Sequence, residues 1–199
     1  MKKKIAIVNY GLGNYGSIIG TLDELGHDTI VSNSKKELDS CDLLILPGVG
    51  TFPKAIKELK RSNLLKYLKK VAKKGKAILG ICLGMQLLTN SSDELKYTEG
   101  LKIIPGNIQL IKSKNHHIGW NNLNFLNKSS EFRYLKNKYL YFQHQYSYYG
   151  PKKFQIANVK NFQATTAIIK KENVLGVQFH PEKSQDAGSE FFKKYIEMI

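Results

Sequence analysis

Three short runs of this chain carry no polar side chain at any position: Ile5-Ala6-Ile7-Val8, Leu43-Leu44-Ile45-Leu46 and Ala77-Ile78-Leu79-Gly80-Ile81. A strand with one face in water alternates apolar and polar residues; a strand apolar throughout has to be covered on both faces. Helix-period stretches lie between these runs: residues 17–25, stopped by Gly26, and segments across 53–74, stopped by Gly75. With a short strand at 29–31, the alternation predicts an α/β fold of three layers, a mostly parallel central sheet with helices on both faces. The second half is richer in short strands, expected at 108–111, 139–143, 165–169 and 174–179, and closes with a helix at 189–198. No repeat, low-complexity segment or linker divides the chain, so residues 1–199 are read as one domain.

Composition narrows the function classes. With 42% hydrophobic residues the chain can bury a core. Two cysteines, Cys41 and Cys82, are too few for a disulfide framework and suit a reducing compartment. Lys2-Lys3-Lys4 followed by an apolar run imitates a signal peptide, but the run stops at Asn9 and reads better as a buried strand. No apolar stretch is long enough to span a bilayer, and a cytoplasmic protein is expected. The net charge of +15 comes from scattered lysine pairs, with tyrosines clustered over 139–149. A nucleic-acid binder could use both, but no basic tail or nucleic-acid motif is present. The reading adopted is a solvated lysine-rich surface; steering toward an acidic partner or an anionic substrate is the other use of such a charge.

The chemistry centres on Gly80-Ile81-Cys82-Leu83-Gly84-Met85-Gln86. A cysteine between a strand and a helix-like run (83–90) stands on a tight turn at a helix start, where a thiolate is favoured. The Gly-x-Ser-x-Gly elbow uses the same geometry with serine. Its bland alternative is a core cysteine. His180-Pro181-Glu182, after the strand at 174–179, supplies a base and a group to orient it: on an extended strand residues 180 and 182 share a face. His180 would act as general base toward Cys82 and then as general acid to the leaving amine, with Glu182 fixing the imidazole tautomer. Pro47-Gly48-Val49-Gly50 follows a buried strand at the edge where open parallel sheets bind ligands. The Gly50 and Leu83 amides are the candidate oxyanion donors. One stretch points elsewhere: Gly11-Leu12-Gly13-Asn14-Tyr15-Gly16 matches the dinucleotide fingerprint, but no acidic residue ends the second strand and no hydride-transfer site is visible.

These words together resemble the class I (triad) glutamine amidotransferases, and more closely the glutaminase subunits of imidazole glycerol phosphate synthase. The matching stretches also include Asn9-Tyr10-Gly11-Leu12-Gly13-Asn14, His117-Ile118-Gly119-Trp120-Asn121 and Tyr141-Phe142-Gln143-His144, in order along nearly the whole chain. The resemblance implies that Cys82 attacks the side-chain amide of L-glutamine, giving a γ-glutamyl thioester and ammonia. It implies substrate contacts from Gly48, Gln86, His144, Gln145 and Tyr146, and no metal or organic cofactor. It implies a heterodimer with a (β/α)8-barrel cyclase of histidine biosynthesis, faced by Asn14, Trp120, Asn121 and Tyr141. Gating is implied too, with the 47–50 segment rearranging to complete the oxyanion hole. The pattern departs at His116, where the family usually has Pro, at Gln145, usually Ser or Thr, and at Tyr15-Gly16-Ser17, usually Leu-Arg-Ser. These departures keep open a paralogous donor for a surface-sugar amidotransferase. Readings from other classes are a catalytically idle basic binding protein and a peptide-directed cysteine hydrolase.

Overall fold

The computed structural model describes residues 2–111, 116–127, 129–162 and 165–199. An eight-stranded sheet runs through the molecule, and its first five strands are parallel neighbours: β2 (Asp28–Ser32), β1 (Lys4–Val8), β3 (Leu43–Leu46), β4 (Ala77–Ile81) and β14 (Val174–Val177). Three antiparallel strands continue it: β13 (Thr166–Lys171), β12 (Gln155–Val159) and β9 (Leu123–Phe125). The all-apolar strands occupy the middle because both of their faces are covered. Ile5, Ile7, Leu43 and Ile45 pack into one core with α1 (Tyr15–Glu24) and α6 (Gln185–Glu197). Ala6, Val8, Leu44 and Leu46 face the other, under α2 (Lys35–Asp39), α3 (Phe52–Arg61) and α4 (Leu64–Lys73). The strand pleat thus sends successive residues to opposite cores, and the three-layer expectation is met.

Helix periodicity decides the outer layers. In α3 the buried positions are Phe52, Ala55, Ile56 and Leu59; in α4 they are Leu64, Tyr67, Leu68, Val71 and Ala72. That spacing forms one apolar stripe, and most of the remaining positions are lysines. Asn63, in the left-handed region at φ 57°, breaks the two helices apart.

Several element boundaries differ from the sequence reading. The helix expected over 83–90 is only α5 (Leu83–Leu87). It stops because the amides of Leu101, Lys102 and Ile103 take the carbonyls of Leu87, Thr89 and Leu88, which a longer helix would use itself. The strand expected over 174–179 ends at Val177. The strands near 108 and 140 do not join the main sheet. β7 (Asn107–Leu110) lies in a four-stranded sheet with β11 (Tyr146–Tyr149), β5 (Ser91–Ser92) and β6 (Thr98–Glu99). β10 (Leu140–His144) pairs antiparallel with β8 (His117–Asn121), which the sequence reading did not assign as a strand. Its Gly119 and Asn121 weaken any period-two signal.

Candidate active site

All the chemistry-bearing words sit at the carboxyl edge of the parallel strands. Ile81 of β4 pairs with Val177 of β14, and the Cys82 amide donates to the Val177 carbonyl at 2.8 Å. Leu46 of β3 pairs with Gly80, so the 47–50 segment leaves the sheet beside the cysteine. A cleft of about 440 Å³ opens here, lined among others by Gly48, Gly50, Cys82, Leu83, Gln86, Glu94, Gln143, His180 and Lys183. A larger hollow, about 1000 Å³, lies elsewhere and is lined by Cys41, Lys76, Glu172 and Tyr195. Its thiol, Cys41, is buried and its pKa is raised by that burial, so it is not an activated nucleophile. Among the described residues, no group of three or more His, Cys, Asp or Glu side chains is placed to hold a metal ion, and no helix is long and apolar enough to cross a membrane.

Cys82 has φ 52° and ψ −110°, a conformation that L-residues avoid, and it precedes the first turn of α5. The flanking glycines make this turn possible. A Cβ on Gly84 would lie 1.8 Å from the Leu46 carbonyl oxygen, and one on Gly80 would lie 2.7 Å from Gly84 backbone atoms. The elbow is therefore pressed against the end of β3 at a distance no side chain allows.

His180 is buried, and its Nδ1 lies 2.7 Å from Oε1 of Glu182, whose side chain is also buried. The sequence reading put these two on one face of an extended strand. The chain instead leaves the strand at Val177 and forms a single 3-10 turn over Pro181–Lys183, which folds the carboxylate back onto the ring. The turn is tied down twice: Ser184 Oγ donates to the His180 carbonyl at 2.6 Å, and the His180 amide donates to the Tyr141 carbonyl at 2.8 Å. Burial alone lowers the His180 pKa. The charge and hydrogen bond of Cys82, then those of Glu182, outweigh it and push the value up to about 10.

The remaining sequence-picked residues divide. Gly48, Gly50 and Leu83 line the cleft. Gln86 lines it too, but its Nε2 is spent on the Tyr146 carbonyl (3.3 Å) and on Gln178 Oε1 (3.1 Å). His144 reaches the cleft wall with both ring nitrogens engaged, Nδ1 with the Tyr146 carbonyl at 2.8 Å and Nε2 with His117 Nδ1 at 2.9 Å. The carbonyl can only accept, so His144 Nδ1 carries the hydrogen and His117 Nδ1 donates to His144 Nε2. Burial lowers the pKa of both rings, His144 to about 3 and His117 to about 4. This buried pair is a support for the wall, and its side chains are not free for a substrate. His116 and Gln145, two of the three departures from the family pattern, meet at the cleft rim, with Gln145 Nε2 3.2 Å from His116 Nδ1. Trp120 and Tyr141 pair across β8 and β10, ring centroids 5.8 Å apart, beside the exposed Ile118. Asn14 precedes α1 and bonds Ser17. Asn121 turns inward, its amide 3.5 Å from His117 Nε2 and its oxygen accepting from the Asn122 amide. The dinucleotide-like loop carries no open phosphate cradle: the Tyr15 ring packs directly against Gly13 and its hydroxyl bonds Asn9.

Two residues at the site, Glu94 in the cleft wall and Gln178 buried behind Cys82, escaped the sequence reading. Glu94 is half-buried, accepts the Phe52 amide at 2.8 Å and has its pKa raised by burial. Gln178 places its Nε2 3.7 Å from the Cys82 sulfur. Glu94 stands in the polar stretch Asn90-Ser91-Ser92-Asp93-Glu94, which carries no periodic signal, whereas Gln178 is conspicuous as the one polar residue in Val177-Gln178-Phe179.

A strand-edge cysteine on a strained elbow, with a buried His–Glu pair beside it, is the arrangement that cysteine-nucleophile α/β enzymes use. The family model for class-I glutamine amidotransferases matches residues 6–198, and the chain belongs to that family. It is similar over nearly its whole length to subunits named imidazole glycerol phosphate synthase subunit HisH. One from Listeria monocytogenes serotype 4b is 40% identical, covering 98% of this chain and 96% of the relative. One from Caldanaerobacter subterraneus subsp. tengcongensis is 41% identical, covering 98% of both. Among solved structures, a glutamine amidotransferase shares the fold with TM-score 0.77 at 16% identity, covering 98% of this chain and 99% of that one. The structure of PurLQS from Thermotoga maritima does so with TM-score 0.75 at 20% identity, covering all of both chains.

Proposed function

We propose that this chain is the glutaminase subunit of an imidazole glycerol phosphate synthase, releasing ammonia from L-glutamine for use in histidine biosynthesis. The observation that carries the reading is the buried His180–Glu182 pair, 2.7 Å apart, beside Cys82 on its elbow. The full-length similarity to HisH subunits supports the pathway.

In this reading Cys82 attacks the glutamine side-chain carbonyl carbon as the thiolate. His180, whose pKa is pushed up chiefly by the Cys82 charge, takes the thiol proton as general base and then serves as the acid toward the leaving nitrogen. It gives that proton to the departing nitrogen as the C–N bond breaks, leaving a γ-glutamyl thioester, ammonia and a neutral imidazole. The imidazole then takes a proton from water as the oxygen attacks the thioester. Breaking the C–S bond returns the thiolate, the imidazolium and glutamate, whose new γ-carboxyl gives its remaining proton to solvent. Glu182 keeps the ring oriented and supports its positive charge.

The oxyanion would be met by the Leu83 amide, which opens a helix and has no intrahelical acceptor, and by the Gly50 amide, with Gly50 at φ 96° in the cleft wall. Glu94 is the acidic group in the cleft outside the His–Glu pair and suits the glutamine α-ammonium. The backbone over 144–146, held by His144, suits the head group's other end. Asn14, Trp120, Asn121 and Tyr141 are assigned to the face that receives the (β/α)8-barrel cyclase. Trp120 and Tyr141, which pair across β8 and β10 with the Tyr141 ring 6.4 Å from that of His180, support this by their nearness to the site that frees ammonia.

The test is glutamate release by the chain alone and mixed with a histidine-pathway cyclase subunit and its nucleotide substrate. Strong stimulation by the mixture is expected. Absence of stimulation, with the cyclase active on free ammonium, would move the acceptor to another pathway such as surface-sugar amidation.

A further inference from the structure

Gln178 is fully buried between Val177 and Phe179, both of which are also fully buried. An amide in such a place is costly unless both its ends are hydrogen-bonded. Its oxygen accepts from Gln86 Nε2 at 3.1 Å, and its nitrogen lies 3.7 Å from the Cys82 sulfur. The sheet register brings this about. Ile81 and Val177 are paired, so Cys82 and Gln178 are the next residues on neighbouring strands. Gln86 lies one helical turn beyond Cys82, its amide donating to the Cys82 carbonyl at 3.2 Å. Its side chain returns over Gln178, held there by a second bond to the Tyr146 carbonyl at 3.3 Å, which His144 also engages. The network fixes the amide's orientation: turning Gln178 over would set its NH2 against the Gln86 NH2 and its oxygen against the sulfur.

We propose that Gln178 is a positioning residue for the nucleophile: its side-chain N–H donates to the Cys82 sulfur, and Gln86 locks the amide in that orientation. This rests on the glutaminase reading of Cys82. The Gln143 carbonyl, 3.9 Å from the sulfur, is an acceptor that suits the thiol and opposes the thiolate. The Gln178 N–H does the reverse, giving a charge-assisted bond to the reactive form. His180 also hydrogen-bonds Cys82, so two donors meet the sulfur.

Gln178→Met keeps the volume and removes the donor. Iodoacetamide labelling, located at Cys82 by peptide mass, should slow about tenfold near neutral pH, the loss expected for one hydrogen bond to a charged group. Its rate profile should move to higher pH. With glutamine, kcat should fall by a similar factor while KM stays within about twofold. Labelling profiles that superimpose on wild type would overturn the proposal, because a merely structural amide would not change them. If the variant does not fold, the wild-type Gln178 side-chain NH2 resonance decides. It should move downfield as Cys82 ionises and stay still in Cys82→Ser, and an unmoved resonance in wild type would overturn the proposal. Labelling needs no glutamine. A wild-type chain that releases no glutamate, even with the cyclase subunit, therefore counts against the histidine-pathway reading while the Gln178 measurement still stands.

Discussion

The Tyr10 hydroxyl donates to the Pro47 carbonyl at 2.6 Å, fixing the start of the segment that carries Gly48 and Gly50. The far end is fixed by the Phe52 amide on Glu94 at 2.8 Å. Between these anchors Val49 is 42% exposed. A peptide segment held at both ends and open in the middle can reorient its amides without moving its neighbours, which is what a gated oxyanion hole needs. Tyr10→Phe keeps the ring packing and strips the anchor, at a cost on the order of 1–2 kcal/mol. The Val49 and Gly50 amides should then exchange with deuterium faster, and kcat should fall with KM unchanged. Unaltered exchange would show that the segment is held by other contacts.

Cys82→Ser and His180→Ala should each abolish glutamate release while the thermal transition stays cooperative. Glu182→Gln keeps a group able to accept from His180 and loses only its charge, so it should be impaired less than either. Full activity in Glu182→Gln would remove the carboxylate from the mechanism.

Three histidines give stability a maximum near pH 6.5, the ordinary histidine value. His117 and His144 have folded pKa values of about 4 and about 3, below the unfolded 6.5. The unfolded chain therefore binds more protons between these values, and stability is lost as pH falls through that window. His180, at about 10, behaves oppositely: its contribution is complete below pH 6.5 and is lost as pH rises toward 10. Urea unfolding measured across pH 4 to 10 should show both slopes. Replacing His117 and His144 together by leucine should flatten the acid side, and Cys82→Ser the alkaline side.

Gly84→Ala places a methyl 1.8 Å from the Leu46 carbonyl and has no room to relax, since the obstacle is backbone. It should cost more than about 3 kcal/mol and yield little soluble protein. Gly20 is the opposite case, exposed inside α1 with no atom within 4 Å of the place an alanine methyl would take. Gly20→Ala should stabilise by about 0.5–1 kcal/mol, read as a rise in Tm.

Much of the frame was legible because the physics involved is local. Leu43–Leu46 and Ala77–Ile81 are strands with the bounds their composition announced, since only a two-sided burial explains four or five consecutive positions without a polar side chain. The elbow was legible from Gly80 and Gly84 around Cys82. Less legible were β8, whose glycine and asparagine blur its period, and the short α5, ended by carbonyl bonds to residues 101–104 that local propensity cannot reveal.

The amino-acid sequence by itself determined the buried parallel strands, the helices that cover them, the cysteine on its turn and the His-Pro-Glu word. Each is a property of neighbours in the chain, set by side-chain period and backbone allowance. Only the tertiary structure decided that Gln178 stands beside Cys82, that His144 is spent on His117, that Glu94 enters the cleft, and that His180 and Glu182 meet through a turn rather than along a strand. Those relationships depend on strand register and on which carbonyls are already taken. Both are settled between segments far apart in the chain: Cys82 and Gln178, whose side chains touch, are separated by 96 positions.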